Sequence, residues 1–209
     1  MTIRTRVIFL LLLLFGQMLY LPINRIASGG VILAMRLDEH IPLWPAWSVP
    51  YLLSLPWWLG CYIWAALKME APLYRALLAT TAAVMFAGYA VYLLYPTYVE
   101  RPALPEHGWA AALVRLIYSS DRSYNAFPSG HTYTTAIIAL FWWRWRPKGR
   151  PLWVVILVLV LLSTLFTGQH NIADLIGGIL FAVAGQLLGL WFVRRYWRRD
   201  GSGDHSLEK

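Results

Sequence analysis

The sequence predicts an all-α fold: a polytopic membrane helix bundle with six transmembrane helices and an interfacial helix in an outer loop. Three observations predict it. The 209 residues are 59% hydrophobic and only 13% charged, with a mean hydropathy of +0.53, too apolar for an ordinary soluble domain. The apolar residues gather into six stretches, 7–22, 47–67, 73–95, 132–145, 152–167 and 172–193. The basic residues then sort to one side once those stretches are taken as membrane crossings.

The first stretch follows Arg4 and Arg6 and begins as a leucine run, as a signal peptide would. No small-x-small cleavage site comes after it; the chain continues Leu21-Pro22-Ile23-Asn24-Arg25, which predicts an uncleaved first span. The second stretch holds Cys61, the only cysteine, so an intrachain disulfide and a cysteine-based metal cluster are both excluded. The third ends near Tyr95-Pro96. The fourth and fifth are short against the ~20 residues that cross a bilayer. Trp142, Trp143 and Trp145 can sit at the interface beside the fourth, with Arg144 and Arg146 snorkelling to it. The sixth carries Gly185-x3-Gly189, a pattern for close helix packing. Two long outer loops remain, 23–46 and 96–128. The second contains Trp109, Leu113 and Leu116 at helical spacing with Arg115 off that stripe, which predicts a short amphipathic helix lying on the membrane. Residues 1–200 read as one integral membrane domain, and 201–209 as a disordered polar tail.

The net charge of +8 reports topology and not nucleic-acid binding. With the N-terminus in the cytoplasm, that side collects Arg4, Arg6, Lys68, Arg75, Arg144, Arg146, Lys148, Arg150, Arg194, Arg195, Arg198, Arg199 and Lys209. The opposite side keeps only Arg25, Arg36, Arg101, Arg115 and Arg122. This positive-inside asymmetry predicts a multi-pass protein of the cell membrane with both termini cytoplasmic.

The same parity gathers chemistry at the outer, extracytoplasmic face. Span three delivers Arg101-Pro102 there, span four opens there with His131, and span five delivers His170 and Asp174 to the turn before span six. His170 and Asp174 are four apart, so on a helix they share a face. An aspartate so placed can accept a proton from one ring nitrogen and leave the other nucleophilic. Ser129 and Gly130 offer a hydroxyl and an unobstructed N–H just before a helix starts, where phosphate oxygens are readily held. Together these residues outline a phosphoryl-transfer centre.

At these residues the chain resembles the type 2 phosphatidic acid phosphatase superfamily, which includes sphingolipid-headgroup transferases such as inositol phosphorylceramide synthases. The motif Pro-Ser-Gly-His stands unaltered at Pro128 to His131. The third motif, Ser-Arg-x5-His-x3-Asp, reads here as Ser163-Thr164, five residues, then His170 and Asp174. The first, Lys-x6-Arg-Pro, survives as Arg101-Pro102 with Leu94 at the lysine position. Asp121-x3-Asn125-Ala126-Phe127-Pro128-Ser129 and Asp38-x2-Ile41-Pro42-x2-Pro45 look like the subgroup related to inositol phosphorylceramide synthases. The resemblance implies a lipid phosphatase working through phosphohistidine, without metal or cofactor, on a lipid phosphate or phospholipid within the membrane. It implies that His170 attacks phosphorus with Asp174 orienting its ring, while His131 protonates the leaving alkoxide and then activates the acceptor. Arg101, Ser129 and Gly130 would hold the phosphoryl oxygens. With two family cations replaced by Leu94 and Thr164, either another residue such as Arg122 substitutes or the substrate carries less charge, as a phosphodiester does. Hydrolysis and headgroup transfer to an alcohol both stay open.

Blander readings compete. A zinc ion could use His131, His170 and Asp174, but short metal-ligand motifs are absent and the Ser-Gly prefix would go unexplained. A non-catalytic transporter would place ionisable groups near the centre of a span, and none lies there. His40, His107 and His205 read as surface residues, and Asp121 and Asn125 as braces of the turn before Pro128.

Overall fold

The computed structural model describes residues 1–197; the predicted polar tail, with Arg198, Arg199 and Lys209, lies outside them. Among the described residues the regular secondary structure is all helical; two isolated β-bridges, Val31 to Thr97 between the two long loops and Tyr98 to Tyr124 within the second, order the loop end of the bundle. Helix α1 (Ile3–Met18) is capped by the Thr2 side chain, which accepts the Thr5 N–H, and passes through Leu19 into α2 (Tyr20–Ile26). The first outer loop holds two 3-10 turns, Asp38–His40 and Pro45–Trp47, and leads into α3 (Ser48–Lys68). Helices α4 (Ala71–Leu94) and α7 (Arg150–Phe166) each carry proline in the first turn, where a missing N–H costs nothing. Between them come α5 (Trp109–Ser120) in the second outer loop and α6 (Gly130–Trp145), and α8 (Ile172–Trp197) closes the bundle.

Helix α8 packs along α4 and α6, α6 packs also on α7, and α1 lies against α3 and α4. Ala65, Tyr74, Leu77, Ile137, Ile138, Phe141, Trp142 and Val193 form the buried centre. The glycine spacing predicted for close packing sits at the α4 contact. There Thr80 Oγ1 donates to the Gly185 carbonyl at 3.1 Å, and a Cβ on Gly189 would strike the Thr80 side chain. Outward faces are apolar: Leu11, Leu12 and Phe15 on α1, Val155 and Val158 on α7, and Leu180, Leu187 and Leu188 on α8 are exposed. Such surfaces suit hydrocarbon and not water.

Four segments are long and apolar enough to cross a membrane: Ile3–Ile26, Ala71–Leu94, Pro147–Phe166 and Ile172–Tyr196. The predicted spans at α3 and α6 fall outside that set for physical reasons. Helix α6 has 16 residues, about 24 Å at 1.5 Å per residue. It is sheltered by the bundle, with most residues from Thr132 to Trp142 buried, so its sequence answers to protein packing. Helix α3 is 21 residues long but dilutes its apolar run with Ser48, Pro50, Ser54 and Pro56. Helix α5 has two apolar faces. Ala111, Val114 and Ile117 pack inward, whereas Trp109 and Leu116 of the predicted stripe stay exposed.

Candidate active site

Four helix ends meet at one end of the bundle: the C-termini of α4 and α7 and the N-termini of α6 and α8. Hydrogen bonds lock them. Tyr92 of α4 donates its hydroxyl to the Pro128 carbonyl at 2.7 Å. The Ser129 N–H donates to the Asp174 carbonyl at 3.0 Å, joining the two motif segments through their backbones. Ser129 also caps α6, its Oγ accepting the Thr132 N–H at 3.3 Å. Just upstream, the Phe127 N–H donates to Thr97 Oγ1 at 2.8 Å.

The turn from α7 to α8 places His170. Gly168 has φ +64°, and a Cβ there would lie 2.6 Å from Pro102 Cδ, so glycine lets the Arg101-Pro102 segment seat on the turn. The N–H groups of Gln169 and His170 both donate back to the Thr164 carbonyl. Helix α8 then opens at Ile172, one residue beyond Asn171. His170 therefore precedes the helix, and the predicted shared helical face is replaced by cap geometry. Asp174 stands in the first turn and accepts the Asn171 N–H on Oδ2 at 2.8 Å. The same Oδ2 lies 3.5 Å from His170 Nδ1, with the Asp174 side chain 1% exposed. That spacing is an ion-pair approach and not a formed hydrogen bond; such contacts commonly tighten once substrate binds.

His131, second residue of α6, is held by aromatic rings. Its ring stacks on Tyr51 with centroids 4.1 Å apart and leans on Trp58 at 4.9 Å. Tyr51 and Trp58 are seven apart on α3, hence on one face; Trp58 Nε1 donates to Thr135 Oγ1 at 3.0 Å. The His131 and His170 ring centroids are 6.5 Å apart, and both rings border one cavity of about 480 Å³. Its lining combines apolar side chains (Leu21, Leu52, Leu55, Leu116) with polar ones (Tyr20, Ser120, Asp121, Asn125) and Gly130 at the start of α6. A slightly larger cavity, about 520 Å³ between α1 and α4, is lined by Leu12, Leu13 and Phe86 and holds none of the candidate residues.

The predicted ligands fare differently. Gly130 borders the cavity, in the first turn of α6, where helix N–H groups lack intrahelical partners. The Ser129 hydroxyl is fully buried and serves first as the helix cap. Arg101 stands beside the turn that carries His170. Its Nη2 donates to Gln169 Oε1 at 3.1 Å and to the Asp121 carbonyl at 2.8 Å, its Nη1 donates to the Tyr118 carbonyl, and it lies 4.3 Å over the Tyr118 ring. Burial lowers the Arg101 pKa from its ordinary value, and Asp121 partly offsets that. Arg122 is not brought to the cavity. Its Nη1 donates to the carbonyls of Arg25 and Ala27, and its guanidinium covers the Tyr124 ring, so it staples the two outer loops. Leu94 is 84% exposed and points away; Thr164 spends its hydroxyl on the Leu161 carbonyl.

Several residues at the site carried no role in the sequence reading. Asp38, in the first outer loop, accepts the Ile172 N–H on Oδ1 at 2.8 Å and so caps α8. Trp44 donates its N–H to the Phe166 carbonyl and packs on that ring. Gln169 links Arg101 to the residue before His170. Asp121, read from the sequence as a brace of the turn before Pro128, instead accepts the Tyr20 hydroxyl of α2 at 2.8 Å. Burial raises its pKa above the usual carboxylate value, while Tyr20, Arg101 and His170 pull the other way. Asp38 and Asp121 lay in motifs that stood out in the sequence, but the partners of all these residues are set by contacts distant along the chain.

A cluster of unpaired polar atoms marks this end. Arg101 Nε, both polar atoms of the Asn125 side chain, His131 Nε2, Gln169 Nε2, His170 Nδ1 and Asp174 Oδ1 are buried without a hydrogen-bond partner. Buried polar groups are normally satisfied, so this cluster singles out the end of the bundle where a polar ligand or water would complete the bonding.

The sequence profile of the PAP2 superfamily matches residues 31–188, and the chain belongs to that superfamily. Its members are generally phosphatases or phosphotransferases. No curated protein and no solved structure gives a significant match.

Proposed function

We propose that this protein is a membrane lipid phosphatase that hydrolyses a lipid phosphate ester at the outer face through phosphohistidine. The observation that carries the reading is that His131 and His170, each with an unpaired buried ring nitrogen, border one cavity, with Asp174 Oδ2 3.5 Å behind His170 Nδ1. His170 attacks phosphorus with its Nε2 while Asp174 stabilises the proton on Nδ1. The bond from phosphorus to the lipid oxygen breaks, and His131 supplies the proton that the departing alkoxide needs. His131 then takes a proton from water, the oxygen of that water attacks phosphorus, and the phosphorus–nitrogen bond breaks to release phosphate. Gly130 meets the phosphoryl oxygens, while Ser129 caps α6 and Arg101 fixes the turn before His170, and the apolar lining takes the acyl chain.

A second reading is favoured by one observation: among the described residues no lysine or arginine borders the cavity, while Asp121 does. A dianionic monoester meets little positive charge there, whereas a phosphodiester carries only one charge. An alcohol in place of water then makes the protein a headgroup phosphotransferase, akin to the inositol phosphorylceramide synthase subgroup. Offering purified protein a panel of lipid monophosphates, and separately a phosphodiester donor with alcohol acceptors, discriminates the two. Phosphate release from monoesters supports hydrolysis; a new phosphodiester without phosphate supports transfer. Turnover of neither would sink both.

In the proposed topology α3 and α6 also cross, giving six spans in one domain of residues 1–200, with cytoplasmic termini and the exposed stripe of α5 resting on the outer membrane surface. In a cysteine-labelling experiment, Ser119→Cys should react with an impermeant thiol reagent applied from outside and Lys148→Cys should not. Both positions are exposed, and the native Cys61 is buried, which keeps background low. The reverse pattern would move the site to the cytoplasmic face.

Because nucleophile and acid are both side chains, turnover should be unchanged in excess EDTA. Activity lost to the chelator and restored by a single divalent ion would refute the metal-free mechanism.

A further inference from the structure

Resting on the phosphoryl-transfer reading of this cavity, we infer that Asn125 is a direct ligand of the substrate, donating its side-chain N–H to a non-bridging oxygen on phosphorus. Asn125 is 3% exposed and borders the cavity with Gly130, His131 and His170. Neither its Nδ2 nor its Oδ1 has a hydrogen-bond partner.

Two structural explanations fail to account for that side chain. The first makes Asn125 a brace of the turn before Pro128. A brace forms hydrogen bonds; here Thr97 binds the Phe127 N–H and Asp121 binds Tyr20, while the Asn125 carboxamide binds nothing in the protein. The second makes it a residue chosen for its backbone. Asn125 has φ +60°, a left-handed conformation that asparagine tolerates better than most residues. Glycine meets that need with less steric cost and buries no polar group. The backbone therefore explains why the position is not valine, and leaves the carboxamide unexplained. Keeping an unpaired amide in a buried site is unfavourable unless a ligand completes it.

The chemistry of the cavity selects the ligand. Phosphoryl oxygens are acceptors and need donors, yet no lysine or arginine among the described residues borders the cavity. Thr164 and Leu94, at the positions where the resemblance leads one to expect cations, have a hydroxyl bound within its own helix and an exposed side chain. The Asn125 amide, beside the first turn of α6, is a neutral donor in the wall that the two histidines share.

The test uses the full-length protein in detergent with hexylphosphonate, whose carbon–phosphorus bond resists hydrolysis, and hexanol as the matched control. Asn125→Gly should keep the wild-type melting temperature, because glycine suits the backbone. It should bind hexylphosphonate about tenfold more weakly, the equivalent of about 1.4 kcal/mol, and hexanol equally well. Asn125→Asp, of the same size, should lose more, since its charge repels the phosphonate; it carries the test should the glycine variant fail to fold. Phosphonate affinity within about twofold of wild type in the folded variant, or equal losses for phosphonate and hexanol, would overturn the assignment. Those outcomes leave the proposed function standing. Wild-type protein that binds hexanol but no phosphonate would overturn both.

Discussion

His170→Ala should abolish the covalent phospho-enzyme and lower turnover by at least about 10³-fold, the scale seen when a covalent nucleophile is removed. The reason is local. Among the described residues, His170 is the histidine that has a carboxylate beside one ring nitrogen, with Asp174 Oδ2 at 3.5 Å, and also borders the cavity. Its ring makes no hydrogen bond that supports the fold, whereas its backbone N–H, which does, is untouched by the substitution. The variant should therefore melt close to wild type, and lost activity reports lost chemistry. Rapid quench with phosphorus-labelled substrate, followed by an acid-lability assay, reads the intermediate. An acid-labile phospho-enzyme persisting in His170→Ala would overturn the central assignment.

His131→Ala should separate substrates by leaving group. An alkyl alcohol cannot depart at neutral pH without a proton, whereas nitrophenolate is stable as an anion. General acid catalysis is worth about 10²–10⁴-fold, so the variant should lose that factor on an alkyl phosphate and far less in the nitrophenol burst. The burst must be measured alongside the steady state, because in the proposed mechanism His131 also serves as base when breakdown of the intermediate limits turnover. Equal burst losses on both substrates would remove the acid role. This variant needs a stability control: His131 is packed between Tyr51 and Trp58, and truncation leaves a hole between those rings. Repeating the measurement with His131→Gln, which refills part of that space without a titratable ring, separates packing from proton transfer.

The parts of this protein legible in its sequence are those encoded by neighbours along the chain. Apolar runs mark the helices, because a segment facing hydrocarbon or a buried core must be apolar over its length. The Pro-Ser-Gly-His run and the interval from His170 to Asp174 are contiguous, so they stand out without knowledge of the fold. Even there the local geometry differs from simple helical spacing: His170 lies ahead of α8, and Asp174 reaches it while capping Asn171. The number of crossings is less legible, because α6 is covered by the bundle and its composition does not have to answer to lipid. Arg122 shows the hazard of nearness in sequence. It sits close to the motif in the chain, yet its guanidinium is spent on the first outer loop.

What the sequence determined by itself is therefore the helical membrane class, the family and the set of candidate residues, since each rests on composition or on short spacings. What only the tertiary structure decided is how those residues are held and what surrounds them. Asp38 caps α8 from 134 positions away, Arg101 reaches Gln169 across 68, and Tyr51 supplies the face on which His131 stacks. The unpaired carboxamide of Asn125 is visible only once every neighbour that could have bonded it is in place. Long-range hydrogen bonds and ring contacts leave no periodic trace along a chain, because each partner is chosen by the packing of whole helices and not by the residues beside it.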